Sequence, residues 1–284
     1  MTRVGAIDCG TNSIRLLIAD VDRDTGALSD VVRRVEIVRL GHGVERVRFV
    51  ATSASRDASN AEEFVVGVRE AFAAFGTAPE VITGHEEASL SFRGATGDLH
   101  ADAVAGPYLV VDIGGGSTEF VRGTHEVEQA LSVDVGCVRL TERHVLSDPP
   151  TPSQIAAATA DIDEAIDRAA EVVDFQGISA LVGLAGSVTT VTALALGLKT
   201  YHPDKIHLSQ LPPAKIIDAC TSLLMMTRAQ RAALGFMHPG RVDVIGAGAL
   251  VWRTIVQRLQ QDAGITRVVT SEHDILDGIA LSIA

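Results

Sequence analysis

Residues Tyr108 to Ile113, YLVVDI, form an apolar run broken only by Asp112, and the run ends on Gly114, Gly115 and Gly116 before Ser117, Thr118 and Glu119 open a second β-type segment. A run of this kind reads as a central, buried strand. Fixing three successive glycines costs more chain entropy than fixing any other tripeptide, so the turn points to a need for unobstructed main-chain N–H groups. Asp112 at the strand end is suited to hold Mg²⁺ directly or through water, with Glu119 nearby, and Ser117 and the loop amides are suited to receive phosphate. A tight structural hairpin is the plain alternative. The run is not a phosphate loop of the Gly-Lys-Ser/Thr type, nor a dinucleotide fingerprint, because the glycines lead into a strand rather than a helix.

A related stretch lies at the amino end, where Asp8, Cys9, Gly10, Thr11, Asn12 and Ser13 follow the short strand Val4 to Ile7. Alone it is an ordinary polar turn; two Asp-bearing loops at strand ends suggest a phosphate channel between paired hairpins. In the second half, GLAGSVTT at 183–190 resembles a strand-to-helix anion loop carrying Gly186 and Ser187. Gly246-Ala247-Gly248 either admits a nucleotide or seats helices closely. Glu86 and Glu87 follow Gly84 and cannot both face one way, so one can point into a cleft and take a proton from water attacking phosphorus, while first-turn acids that favour a helix dipole are the bland reading. Arg56 and Arg93 are possible phosphate clamps.

Composition narrows the partners. The chain has 284 residues, 24 basic against 36 acidic side chains and a formal charge of −12, which argues against nucleic acid as the main partner. No apolar run of about 18 residues suggests a membrane span, and no secretion signal is evident, so a cytoplasmic location is expected. Cys9, Cys137 and Cys220 are too far apart for a zinc set and fit a reducing compartment. The nine histidines form no compact metal motif and read as structural or solvent-facing.

Three strands near residues 4–7, 14–21 and 30–40 suggest an antiparallel meander, followed by a strand at 47–51, a helix capped by Asn60 with Glu63 at its third position, and a short strand at 81–83. Thr151, Pro152 and Gln154 start a long helix with Ile155, Ala158, Ile162, Ile166 and Ala169 on one face. Further helices are expected at 189–196, at 213–226 and from Gly246 to Leu259, with a last strand at 268–270 and a terminal helix capped by Ser271. The internal boundary is expected near residue 121, giving units 1–121 and 122–284, with the terminal helix returning to the first. Gly41 to Arg46 is too short for a crossover between parallel strands; either the flanking strands pair antiparallel or an internal segment is missing between Gly43 and Val47.

IDCGTNSIRLLIADV at 7–21, VATSASRDASN at 50–60, VITGHEEASLSFRG at 81–94, VVDIGGGSTEFV at 110–121, GLAGSVTT at 183–190 and SEHDILDGIAL at 271–281 together resemble the Ppx/GppA phosphatase family, within the actin, Hsp70 and sugar-kinase superfamily. The resemblance implies an α/β fold of two ribonuclease-H-like lobes with mixed sheets and a central cleft, often dimeric. It implies Glu87 as the water-activating carboxylate and Asp112 with Glu119 at the metal. Phosphate handling falls to Asp8, Gly10, Asn12, Ser13, Arg56, Gly114, Gly115, Gly116 and Ser117. The expected activity is Mg²⁺-dependent release of orthophosphate from inorganic polyphosphate; the alternative is hydrolysis of guanosine pentaphosphate, pppGpp. A sugar or acid kinase, or a non-enzymatic actin-like protein, fits HEEA and GGGSTE less well. The family's usual helical crossover after the LGxG-like element is short here, where LGHG at 40–43 runs almost directly into VERVRFVATSA.

Overall fold

Branched apolar residues dominate three successive segments at the amino end, and they form β1 (Thr2–Cys9), β2 (Ser13–Val21) and β3 (Leu28–Ile37), an antiparallel meander in that order. The computed structural model describes residues 2–9, 13–21, 28–37, 48–51, 65–69, 79–101, 106–145 and 147–283. Contacts divide the chain into two units, Met1–Thr83 with Ile283–Ala284, and Gly84–Ser282. In the first unit β4 (Phe49–Ala51) pairs in parallel with β5 (Pro79–Val81). The stretch 52–78, helical at 65–69, is long enough for the crossover a parallel pair requires. Arg48 donates from Nε and Nη2 to Glu80 Oε2 at 3.1 and 2.9 Å and ties the two strands together. The expected cap residues Asn60 and Glu63 and the short link 41–46 lie outside the described residues.

The second unit opens with α1 (Gly84–Ala101) and contains a six-stranded mixed sheet. Here β6 (Tyr108–Ile113), β7 (Thr118–Gly123) and β8 (Val127–Val133) are antiparallel neighbours. On the other side of β6, β9 (Ala180–Leu184) and β11 (Val268–Thr270) run parallel to it, and the short β10 (Gln210–Leu211) pairs antiparallel with β11. The alternation of the buried strands divides the core. Tyr108, Val110, Val182 and Leu184 pack on one face with Ala88, Phe92 and Leu99 of α1. Leu109, Val111, Ile113 and Leu181 pack on the other, under α2 (Cys137–His144), α3 (Pro152–Ala170), α4 (Ala185–Ala195), α6 (Pro213–Met225) and α8 (Ile245–Asp262). The short α5 (Pro203–Ile206) and α7 (Arg228–Ala232) fill connections.

The α3 start is as the sequence indicates: Thr151 accepts from Gln154 N–H while Gln154 accepts from Thr151 N–H. Two boundaries differ. α4 starts at Ala185, directly after β9, rather than at Thr189, because buried packing of Val188, Thr189, Thr190, Val191 and Thr192 overrides the weak helix propensity of β-branched residues. The terminal helix α9 (Ile275–Ile283) is capped by Asp274, which accepts from Leu276 N–H at 2.8 Å while Asp277 accepts from Asp274 N–H at 2.9 Å. Ser271 instead accepts from His273 N–H and donates to the His273 carbonyl. Among the described residues, no helix is long and apolar enough to cross a membrane.

Candidate active site

The parallel strands β6, β9 and β11 end on one edge of the sheet, where open α/β sheets place their ligands, and three loops gather there: Gly114–Ser117, Ala185–Ser187 and Ser271–Asp274. Asp112 shares the face of Tyr108 and Val110, so it points toward α1. Its cross-strand partner is Glu119, whose Oε1 accepts from Ser132 Oγ at 2.6 Å. Burial pushes the Asp112 carboxyl up to about 7, and the charges of Glu119, Asp274 and Glu87 push in the same direction. Four carboxylates from β6, β7, the first turn of α1 and the β11–α9 loop thus sit within electrostatic reach of one another. An all-oxygen donor set whose mutual repulsion is unrelieved by a nearby base fits a hard divalent cation. A cavity of about 300 Å³ runs from Glu119 and Ser132 to Gly84 and His85.

The glycine loop is anchored through its carbonyls. Gly114 O accepts from Cys137 N–H at 3.0 Å, and Gly115 O accepts from Val138 and Arg139 N–H at 2.9 and 3.1 Å. The first turn of α2 is therefore satisfied by the loop, and the loop's own amides are turned the other way. Among the described residues, the N–H groups of Gly115, Gly116 and Ser117 meet no acceptor. This close seating requires Gly136, where a Cβ would overlap the Gly115 carbonyl. Arg139 Nε donates to Gly116 O at 2.7 Å.

Between this loop and Ala185, Gly186 and Ser187 lies a cavity of about 240 Å³, lined also by Cys137 and Arg241. Ala185 has a φ of +68°, a left-handed conformation uncommon outside glycine, at the turn where β9 becomes α4. The Arg241 guanidinium lies directly over Gly186, in space a Cβ would fill, and donates from Nη1 to Thr190 Oγ1 at 3.3 Å. Burial pushes the Cys137 thiol up, so it is a protonated thiol at neutral pH and not a nucleophile. Beside this cavity Tyr201 donates to Glu272 Oε1 at 2.5 Å; burial raises both groups, and Tyr201 is pushed up to about 12.

The residues expected to bind or react divide into two sets. Glu87, Asp112, Gly114, Gly115, Gly116, Ser117, Glu119, Gly186 and Ser187 all lie around this edge of the second unit. In the first unit Asp8 lies near the end of β1 and Ser13 begins β2, whereas Gly10, Thr11, Asn12 and Arg56 lie outside the described residues. Arg93 is exposed on α1. Gly248 is a packing position, set against Ser187 and Cys137. The sequence reading missed Arg241, Glu272 and Asp274 as site residues. Arg241 follows Gly240 in a short 3-10 turn, Pro239–Arg241, and that turn was its only local signal. The reading of every histidine as structural or solvent-facing also needs correction: Asp98, His207 and His273 bring ligand atoms within 4.8 Å of one another and form a candidate metal-binding triad. They come from distant segments, so no sequence spacing announces them.

Comparison with known proteins agrees with this arrangement. "Exopolyphosphatase 2" of Mycobacterium tuberculosis is 48% identical over 318 aligned positions, which cover all of this chain and 99% of that protein. Since this chain has 284 residues, about 34 of those positions have no counterpart in it. The crystal structure of an exopolyphosphatase-like protein superposes with a TM-score of 0.78 at 41% identity, covering 99% of this chain and 98% of the other. The Ppx/GppA family member of Aquifex aeolicus gives 0.74 at 27% identity, with 99% and 97% covered. A profile of the Ppx/GppA phosphatase family matches residues 19–283, and the chain belongs to that family.

Proposed function

We propose that this protein is an exopolyphosphatase, releasing terminal orthophosphate from inorganic polyphosphate by attack of water at phosphorus. The observation that carries the reading is the Asp112, Glu119, Asp274 and Glu87 cluster standing at the same strand end as a loop whose three outward amides lack acceptors among the described residues. Fixed N–H donors bind phosphate oxygens, and the carboxylates supply the base and the cation ligands that phosphoryl transfer needs. In this reading Mg²⁺ held by Asp112 and Glu119 neutralises charge on the bound phosphoanhydride. Glu87 takes the proton of the attacking water as the new O–P bond forms and the bridging P–O bond breaks, its electron pair leaving on the shortened chain. Gly186, Ser187 and Arg241 hold the neighbouring phosphate. The assignment of phosphate handling to Asp8, Gly10, Thr11, Asn12, Ser13 and Arg56 rests on the family resemblance alone. So does a homodimeric assembly, while a cytoplasmic location rests on the cysteine usage.

Phosphate release from long-chain polyphosphate and from pppGpp, measured side by side in Mg²⁺, tests the substrate. Polyphosphate is expected to give the higher kcat/KM; a clear excess for pppGpp would move the protein to the alternative. Glu87→Gln is expected to lower kcat by roughly 10²–10⁴-fold, the range for loss of a general base. Unchanged kcat would remove Glu87 from the reaction.

A further inference from the structure

Asp98 lies on α1, His207 just after α5, and His273 in the β11–α9 loop, all at the surface beside the carboxylate cluster but built from different donors. His273 Nδ1 stands 2.9 Å from Asp98 Oδ2, and His207 Nε2 stands 3.2 Å from the same oxygen. The two rings lie with centroids 4.2 Å apart. Three ligands of a tetrahedral ion with bonds of about 2.0–2.2 Å lie about 3.3–3.5 Å apart, so small side-chain shifts convert the cluster into a coordination shell. The side chains are partly open, Asp98 at 50% and His207 at 21% exposure, which leaves a path for an ion and room for water at a fourth position.

We propose that Asp98, His207 and His273 form a binding site for a divalent transition-metal ion of the zinc type, distinct from the all-carboxylate cluster around Asp112. Two imidazoles and one carboxylate suit a borderline ion, whereas Mg²⁺ favours oxygen donors and keeps its waters. The outer contacts fit as well. His273 presents Nδ1 to the site while Nε2 faces Asp277 Oδ1 at 3.8 Å, the carboxylate-behind-histidine arrangement of metal centres. Asp277 is in turn fixed by Asp274 N–H. The segment carrying His207 is held rigidly: Leu208 has a φ of +56°, and its N–H donates to Thr270 O while Thr270 N–H donates to Ser209 O, fastening it to the strand that leads to His273.

One contact must give way. His207 Nδ1 accepts from Glu272 N–H at 3.2 Å, so without an ion the neutral ring carries its proton on Nε2 and shares it with Asp98. An ion takes the Nε2 lone pair, the proton moves to Nδ1, and the Glu272 amide is released. Glu272 is the partner of Tyr201 and lies in the field of Arg241, so the ion acts directly on the loop beside the phosphate cavity.

The test uses the untagged full chain, stripped with chelator and titrated with Zn²⁺ against a chromophoric zinc indicator in excess Mg²⁺. One equivalent of Zn²⁺ is expected to bind, and Co²⁺ is expected to give the intense visible absorption of a four-coordinate ion. His207→Gln, His273→Gln and Asp98→Asn are each expected to weaken binding by more than the roughly 10- to 100-fold cost of losing an outer-shell partner. Asp98→Asn keeps the shape and hydrogen bonding of the site should a histidine variant fail to fold. Absence of stoichiometric uptake would overturn the proposal and leave a hydrogen-bonded His–Asp–His clasp. Uptake untouched by all three changes, or abolished by Asp112→Asn, would equally overturn it by placing the ion elsewhere. Polyphosphate hydrolysis is no part of this readout, so its outcome is independent of the proposed activity.

Discussion

Asp112 stores an electrostatic conflict that the pH dependence of stability exposes. Its carboxyl ordinarily titrates at 3.8 and is raised to about 7 in the folded chain. Between these values the folded state holds a proton that the unfolded state has lost, so stability falls as pH rises from about 4 to 7 and is flat above, by the linkage of protons to folding. At about 1.36 kcal/mol per pKa unit the full penalty has a ceiling of roughly 4 kcal/mol, reduced by the solvent that reaches the site. Asp112→Asn is therefore expected to match the parent protein in urea unfolding near pH 4 and to exceed it increasingly up to pH 7, in chelator and without added cation. A constant difference across that range would mean that the carboxylates do not couple. Adding Mg²⁺ should stabilise the parent and leave the variant unmoved.

At the level of elements, the site depends on two helices crossing closely. Gly94 of α1 lies against the Asp274 carbonyl and Gly278 of α9 against the Leu90 carbonyl, each without space for a Cβ. This crossing sets Asp274 beside Asp112. Gly94→Ala should cost about 1–3 kcal/mol through overpacking and should displace the β11–α9 loop. A lower thermal midpoint together with a weakened Mg²⁺ dependence is the expected result; normal values for both would show that the helices separate freely. The capping box at Thr151 and the apolar face of α3 were legible because helix starts are written in contiguous residues. The start of α9 was misassigned because Ser271 and Asp274 both fit the cap pattern three residues apart from an acid or amide, and only the hydrogen bond from Leu276 N–H to Asp274 decides between them.

For the whole molecule, a formal charge of −12 opposes a polyanionic substrate at long range. The screening length is about 30 Å at 0.01 M ionic strength and about 8 Å at 0.15 M. At low salt polyphosphate feels the entire protein; at higher salt it feels chiefly local donors such as Arg241 and the loop amides. The kcat/KM for long polyphosphate is therefore expected to rise between about 10 and 100 mM salt at fixed free Mg²⁺, and a fall would mean that local positive charge dominates even at low salt. Contacts divide the chain at Thr83, while β7, which includes Val121, pairs with β6 and β8 inside a single sheet. The sequence by itself determined the glycine turn after YLVVDI, its strand-end aspartate, the second-half strands, most of the helix faces and the family, because each is written in neighbouring residues with a fixed period or motif. Only the tertiary structure decided that Asp274 and Glu87 burden Asp112, that Arg241 covers Gly186, and that Asp98, His207 and His273 meet. Those relations depend on which strand ends share a sheet edge, and a chain folds distant residues together through packing that no local spacing records.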